Sequence, residues 1–181
     1  GLTNSGISLE PIDSDIIMSK YGEVGNRFVE REIAEKVNKY KDQLSQGSVP
    51  RINNRLGVLY AKYGLMDKAK EQFQQASDKS YVPSMVNMGN ILFLEKMFED
   101  ALDYYEQVED EQPNNIKALL GIAKANYELE NMGTVKRVFE KIQQKDPDLA
   151  ERFSYLVSGS DETARASAAM ISETVVWDEE E

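Results

Sequence analysis

Apolar residues recur three and four positions apart along most of this chain. Leu56, Gly57 and Tyr60 fall at i, i+1 and i+4, and Ala69, Phe73 and Ala76 follow the same helical step. Ile33, Val37, Tyr40 and Leu44 form a further stripe at 4, 3, 4 spacing. Punctuation falls between the stripes. Gly47 stops one segment and Ser48-Val49-Pro50 starts the next, while Asp146-Pro147 supplies an N-cap and a first helical residue. Gly64 and Gly133 are expected between paired helices, where a helix must stop. The pattern predicts a short helix near 14–21, a longer one over 25–45, six helices near 50–63, 66–78, 82–95, 98–111, 115–130 and 133–145, and a final one near 147–157.

Large and small residues repeat in register across the six central helices. The first copy reads Asn53-x2-Leu56-Gly57-x2-Tyr60, then Ala69-x3-Phe73. The second reads Met85-x2-Met88-Gly89-x2-Leu92, then Ala101-x3-Tyr105, then Pro113. The third reads Leu119-x2-Ile122-Ala123-x2-Asn126, then Val135-x3-Phe139, then Pro147. Gly57 to Gly89 is 32 residues and Gly89 to Ala123 is 34. The small residues Gly57, Gly89 and Ala123 let a second helix approach closely. A glycine inside a helix costs up to about 1 kcal/mol relative to Ala, so two at matching sites point to a packing requirement. An ordinary bundle with chance periodicity explains one such copy but not three in register.

This pattern resembles the tetratricopeptide repeat family, with its 34-residue helix-turn-helix unit. The match covers residues 50–147, with departures: no Trp at the first large site, Tyr81 where Pro is expected, Asn126 where an aromatic is expected and Val135 for a small residue. The resemblance implies an all-α fold, a right-handed superhelical array of antiparallel helix pairs. About three repeats would carry N-terminal and C-terminal capping helices. The expected organisation is an arm over 1–24, an N-terminal helix or degenerate repeat over 25–49, three repeats over 50–147, a capping helix over 148–157 and a tail over 158–181.

Composition fits this picture. Apolar content of 41% can build a core, and 29% charged residues suit exposed helices. No run of apolar residues is long enough for a transmembrane segment. The chain lacks an initial Met and a visible signal peptide, so it reads as a fragment or processed form with any targeting segment absent from it. The compartment stays open between cytoplasm and periplasm. The net charge of −11 argues against nucleic acid as a partner. That charge is uneven: −2 over residues 1–50, −3 over 51–157 and −6 over 158–181.

No catalytic chemistry is evident. The chain has no His and no Cys, which removes the commonest metal ligand, general base and thiol nucleophile. It has no glycine-rich phosphate loop and no calcium loop. Carboxylate neighbours such as Glu99/Asp100 are expected by chance among 32 acids. The expectation is a non-enzyme with no cofactor and no metal.

In the family, the first helix of each repeat lines a concave groove. That implies Arg51, Asn54, Arg55, Val58 and Lys62 from the first repeat, Val86, Asn87, Asn90 and Phe93 from the second, and Lys117, Leu120, Lys124 and Tyr127 from the third. The set holds five cations, three asparagines, two aromatics and no acid. An acidic chain would thus present a basic groove. Asparagines offer donor and acceptor to a peptide backbone, and Phe93 and Tyr127 offer apolar anchorage. Family members that clamp chaperone C-termini use Lys, Asn, Asn, Lys and Arg. Here Asn87 and Lys117 keep two of those sites, while Asn54, Val58 and Gly121 replace the rest, so that function is not implied.

The leading expectation is a protein-interaction scaffold binding an acidic or amphipathic segment in the groove. The alternative is a structural assembly module that self-associates or packs within a larger protein. The tail carries the only tryptophan, Trp177, beside Val175 and Val176 and before Asp178-Glu179-Glu180-Glu181. It reads either as a disordered end or as a segment that docks on a repeat surface of its own chain or a neighbour's, with Trp177 as anchor.

Overall fold

Among the described residues every regular element is helical. The computed structural model describes residues 14–47, 49–158 and 175–179. Residues 1–13 of the arm expected over 1–24, and residues 159–174 and 180–181 of the tail expected over 158–181, lie outside the described residues. The helices are α1 (Ser14–Ser45), α2 (Pro50–Lys62), α3 (Met66–Ser77), α4 (Val82–Leu94), α5 (Phe98–Glu111), α6 (Ile116–Glu128), α7 (Met132–Lys145) and α8 (Pro147–Arg152), followed by a 3-10 turn at Ser154–Leu156. None of the described helices is long and apolar enough to cross a membrane.

The chain divides into two compact units, residues 1–39 and 40–181. The first contains most of α1, which runs unbroken where a gap between two helices was expected. Gly22 and Gly25 lie inside it with nothing near their Cβ positions. Glycine weakens a helix interior by up to about 1 kcal/mol but leaves helical φ and ψ accessible. Ile33 and Val37 of its apolar stripe are buried.

In the second unit, α2 pairs with α3, α4 with α5 and α6 with α7, and successive pairs meet through α3–α4 and α5–α6. The first helices of the pairs also touch in series, α2 with α4 and α4 with α6. Turns between partners share one geometry. Gly64, Lys96 and Glu130 occupy the same place in each repeat with φ of 75°, 62° and 61°. Each is followed by an N–H that bonds back to the first helix: Leu65 N to Tyr60 O at 3.0 Å, Met97 N to Leu92 O at 2.9 Å and Asn131 N to Asn126 O at 2.8 Å. This is the Schellman closure of a helix end. Only the first repeat uses glycine there. Gly133 does not make the third turn, as its type had suggested; it is the second residue of α7, and Glu130 takes the left-handed conformation.

Packing explains the repeated small residues. A Cβ at Gly57 would sit 2.5 Å from Phe73 Cε1, and one at Gly89 would sit 2.5 Å from Tyr105 Cε1. Gly121 also faces Tyr105, with a would-be Cβ 2.5 Å from Cε1 and Cζ. The third close approach therefore comes from Gly121 of the following repeat, while Ala123 is buried at the register position of the other two glycines. Asn126, where an aromatic was expected, is buried and satisfied: it donates to Ile122 O at 2.9 Å and accepts from Asn131 at 3.1 Å. Asp146 caps α8 by accepting from Leu149 N at 2.9 Å. Phe153, Tyr155 and Leu156 then close the apolar end of the third pair, as a terminal repeat requires.

Candidate functional site

Three asparagines on two adjacent helices form the centre of the site. Asn54 belongs to α2, and Asn87 and Asn90 lie three residues apart on α4, so they share one face. All three are buried. Each has its amide orientation fixed from behind. Ser84 Oγ donates to Asn54 Oδ1 at 3.1 Å, and Asn87 Nδ2 donates to the same oxygen at 2.8 Å. The buried Tyr105 hydroxyl donates to Asn90 Oδ1 at 2.8 Å. Burial also pushes the Tyr105 phenol far above its ordinary pKa, so it stays a neutral donor. Asn54 and Asn90 must therefore aim their NH2 groups the other way.

What they meet is the chain's own segment 175–179. Asn54 Nδ2 donates to Asp178 O at 2.7 Å and Asn87 Nδ2 donates to the same carbonyl at 2.9 Å. Asn87 Oδ1 accepts from Asp178 N at 2.8 Å. Asn90 Nδ2 donates to Val176 O at 2.9 Å. Turning the Asn87 amide over would set its oxygen against two acceptors, Asn54 Oδ1 and Asp178 O, and its NH2 against a donor. These contacts read backbone rather than side chains. They take main-chain groups two residues apart, which lie on the same side of an extended chain.

The side chains of the segment are sorted by chemistry. Trp177 stacks on Phe73 of α3, with ring centroids 5.8 Å apart and planes at 22°. Asp178 is buried and accepts from Lys117 Nζ at 2.7 Å. Glu179 pairs with Lys62 at the end of α2. Val175 and Val176 close a recess whose other walls include Phe93, Leu120, Gly121 and Lys124.

The groove residues expected from sequence divide into those brought to this segment and those not. Asn54, Asn87, Asn90, Lys62 and Lys117 contact it directly, and Phe93, Leu120 and Lys124 share the recess with its valines. Val58 and Val86 are buried. Arg51 is exposed and Arg55 half-buried, and no hydrogen bond or ion pair joins either to 175–179 among the described residues. Tyr127 stands edge-on to Tyr155 at 5.8 Å, part of the C-terminal closure rather than of the anchor site.

Lys124 departs from its expected place on a charged surface. It is only 4% exposed, with its ammonium 4.7 Å from the Phe93 ring centre and 5.9 Å from that of Phe153. Desolvation pulls its pKa from 10.5 down to about 8, against the raising influence of Glu128 one turn on. Its helix position resembles that of a groove cation, but α8 brings Phe153 over it, and nothing in the local spacing announces that.

Sequence reasoning also missed Phe73, read only as part of the repeat pattern, as a stacking platform, and Ser84 and Tyr105 as supports of the asparagines. The local spacing carries no signal of this, because Phe73 holds a repeat packing position against Gly57 and Trp177 is far from it in sequence.

Two family models, both described as Tetratricopeptide repeat, match residues 50–78 and 92–158, together more than half of the chain. No curated protein matches it.

Proposed function

The chain belongs to the tetratricopeptide repeat family, and is thus a protein–protein interaction or scaffold module; from that premise we propose that it takes an acidic or amphipathic peptide segment along the face built by α2, α4 and α6. One observation carries this reading: Asn87 pairs with both the N–H and the C=O of a single residue, Asp178, while Lys117 takes that residue's carboxylate. Paired reading of backbone, with a cation for the side chain, suits an extended acidic segment of any origin. Net hydrogen bonds contribute about 0.5–1.5 kcal/mol each, more when one partner is charged.

The test uses the full chain carrying Trp177→Ala, so that the groove is not already held by its own tail, probed against short peptides of graded net charge. Acidic peptides should be retained, and retention should fall with salt. It should be lost on adding Asn87→Ala, or Lys62→Glu with Lys117→Glu. Retention that ignores peptide charge and survives these changes overturns the proposal.

A second reading has its own support. The groove is filled by the chain's own residues 175–179, which is what a structural packing role would produce. Under that reading the segment is a permanent strap, and no outside peptide competes with it at any concentration. Docking of the same segment on a neighbouring chain would instead make sedimentation mass rise with concentration.

A further inference from the structure

The occupant of the groove is a defined sequence, and each of its residues meets a different kind of surface. Val175 and Val176 are β-branched, which favours extended backbone, and they fill the recess beside Phe93 and Leu120. Trp177 stacks on Phe73. Asp178 is short enough to keep its carboxylate on Lys117 while its own N–H and C=O stay on Asn87. Glu179 reaches the more exposed Lys62. The order apolar, apolar, aromatic, acid, acid is therefore matched position by position.

We propose that this groove is a reader of the motif β-branched–β-branched–Trp–Asp–Glu, that residues 175–179 are its resident copy, and that its partner is a protein displaying the same motif, which binds by displacing that copy. This rests on the peptide-groove reading above and adds the order of residues and the competition. The partner's backbone would take over the bonds now made to Val176 and Asp178, and its indole would replace that of Trp177 on Phe73. A tethered occupant competes at an effective concentration on the order of millimolar, so the resident segment raises the threshold for the partner without abolishing binding. Charge alone does not define this site. A scrambled peptide of identical composition keeps every charge but cannot place an indole on Phe73 and a carboxylate on Lys117 together.

The experiment measures fluorescence polarisation of a dye-labelled peptide of sequence Ser-Glu-Thr-Val-Val-Trp-Asp-Glu-Glu-Glu, that of residues 172–181, against the full chain. Wild type, Trp177→Ala and Asp178→Lys are compared, with a scrambled peptide of the same composition as reference. The two variants weaken the resident copy by different routes, one removing the stack and one setting a lysine against Lys117, so a folding failure in either leaves the other. Both should bind the peptide at least tenfold more tightly than wild type, and both should prefer it to the scramble by at least tenfold. Equal binding of peptide and scramble overturns the motif while leaving an acidic-peptide groove intact. Equal binding by wild type and both variants overturns the competition. If neither peptide binds the variants, the motif reading falls; whether the broader reading falls with it is decided by the graded-charge peptides, which bind independently if the groove accepts other acidic segments.

Discussion

Replacing Gly121 with alanine should destabilise the protein, although alanine is the better helix former. Gly121 lies inside α6, where the exchange would on propensity alone contribute about 1 kcal/mol of stability. Opposing this is the Tyr105 ring. A Cβ at Gly121 would lie 2.5 Å from Cε1 and from Cζ and 2.7 Å from Cδ1, about 1 Å inside ordinary contact. Escape is blocked: Gly89 of α4 closes on the same ring edge, with its own would-be Cβ 2.5 Å from Cε1. The hydroxyl is also held to Asn90 at 2.8 Å. Overpacking of this kind costs about 1–3 kcal/mol. The net expectation is a loss of up to about 2 kcal/mol, or a melting temperature lower by up to about 4–8 °C for a protein of this size.

The control is Gly133→Ala in α7, where nothing lies within 4 Å of the added Cβ. It should leave stability unchanged or raise it by up to about 1 kcal/mol. Both variants are followed by far-UV circular dichroism during thermal and urea unfolding. If Gly121→Ala matches Gly133→Ala, the two glycines around Tyr105 are not a steric requirement and the packing argument fails. An arginine at 121, as in the carboxylate clamp of related repeats, should be worse still, because the same ring stands where its Cβ and Cγ must pass.

Asn87→Ala removes three hydrogen bonds at once and should cost about 1–3 kcal/mol; emission of the lone Trp177 should shift to the red as it leaves Phe73, and unchanged emission would count against the groove geometry. Stability should also rise with pH between about 8 and 10. In that window the unfolded chain keeps the Lys124 proton that the folded chain has released, so the gain is about 1.4 kcal/mol per pH unit. Above about pH 10 the trend should reverse, since burial holds Tyr105 and Tyr155 neutral in the fold while the unfolded phenols ionise. Lys124→Met should flatten the rising limb in urea titrations at each pH, and a slope that persists would place its origin elsewhere. Glu130→Gly, at φ 61°, should stabilise by up to about 1 kcal/mol; a lower melting temperature would mean that the Glu130 side chain stabilises the turn by more than its backbone strain costs.

The repeat was legible because its determinants are local. Spacing of Leu56, Gly57 and Tyr60, and of their counterparts, sets which helix faces are apolar, and Pro50 and Asp146-Pro147 mark helix starts that the structure keeps. What was not legible depends on contacts distant in sequence. Lys124 reads as a surface cation until α8 folds Phe153 across it. Tyr127 reads as groove-facing until the 3-10 turn brings Tyr155 against it. The third left-handed turn falls on Glu130 rather than Gly133 because the 34-residue step from Lys96 fixes the place, and residue type only tunes the cost.

Repeat core and groove are mechanically joined through Tyr105. Its ring fills the space between Gly89 and Gly121, and its hydroxyl fixes the amide of Asn90, whose other end holds the carbonyl of Val176. The residue that sets the distance between neighbouring repeats thus also sets the orientation of a groove donor. Phe73 repeats the arrangement one repeat earlier: one side packs on Gly57 and the ring receives Trp177. Substitutions at these consensus positions should therefore change stability and segment binding together. Substitutions at Lys62 or Lys117, whose side chains are partly exposed, should change binding with little effect on melting. That difference in coupling separates an interaction groove supported by its core from a surface on which a tail rests by charge alone.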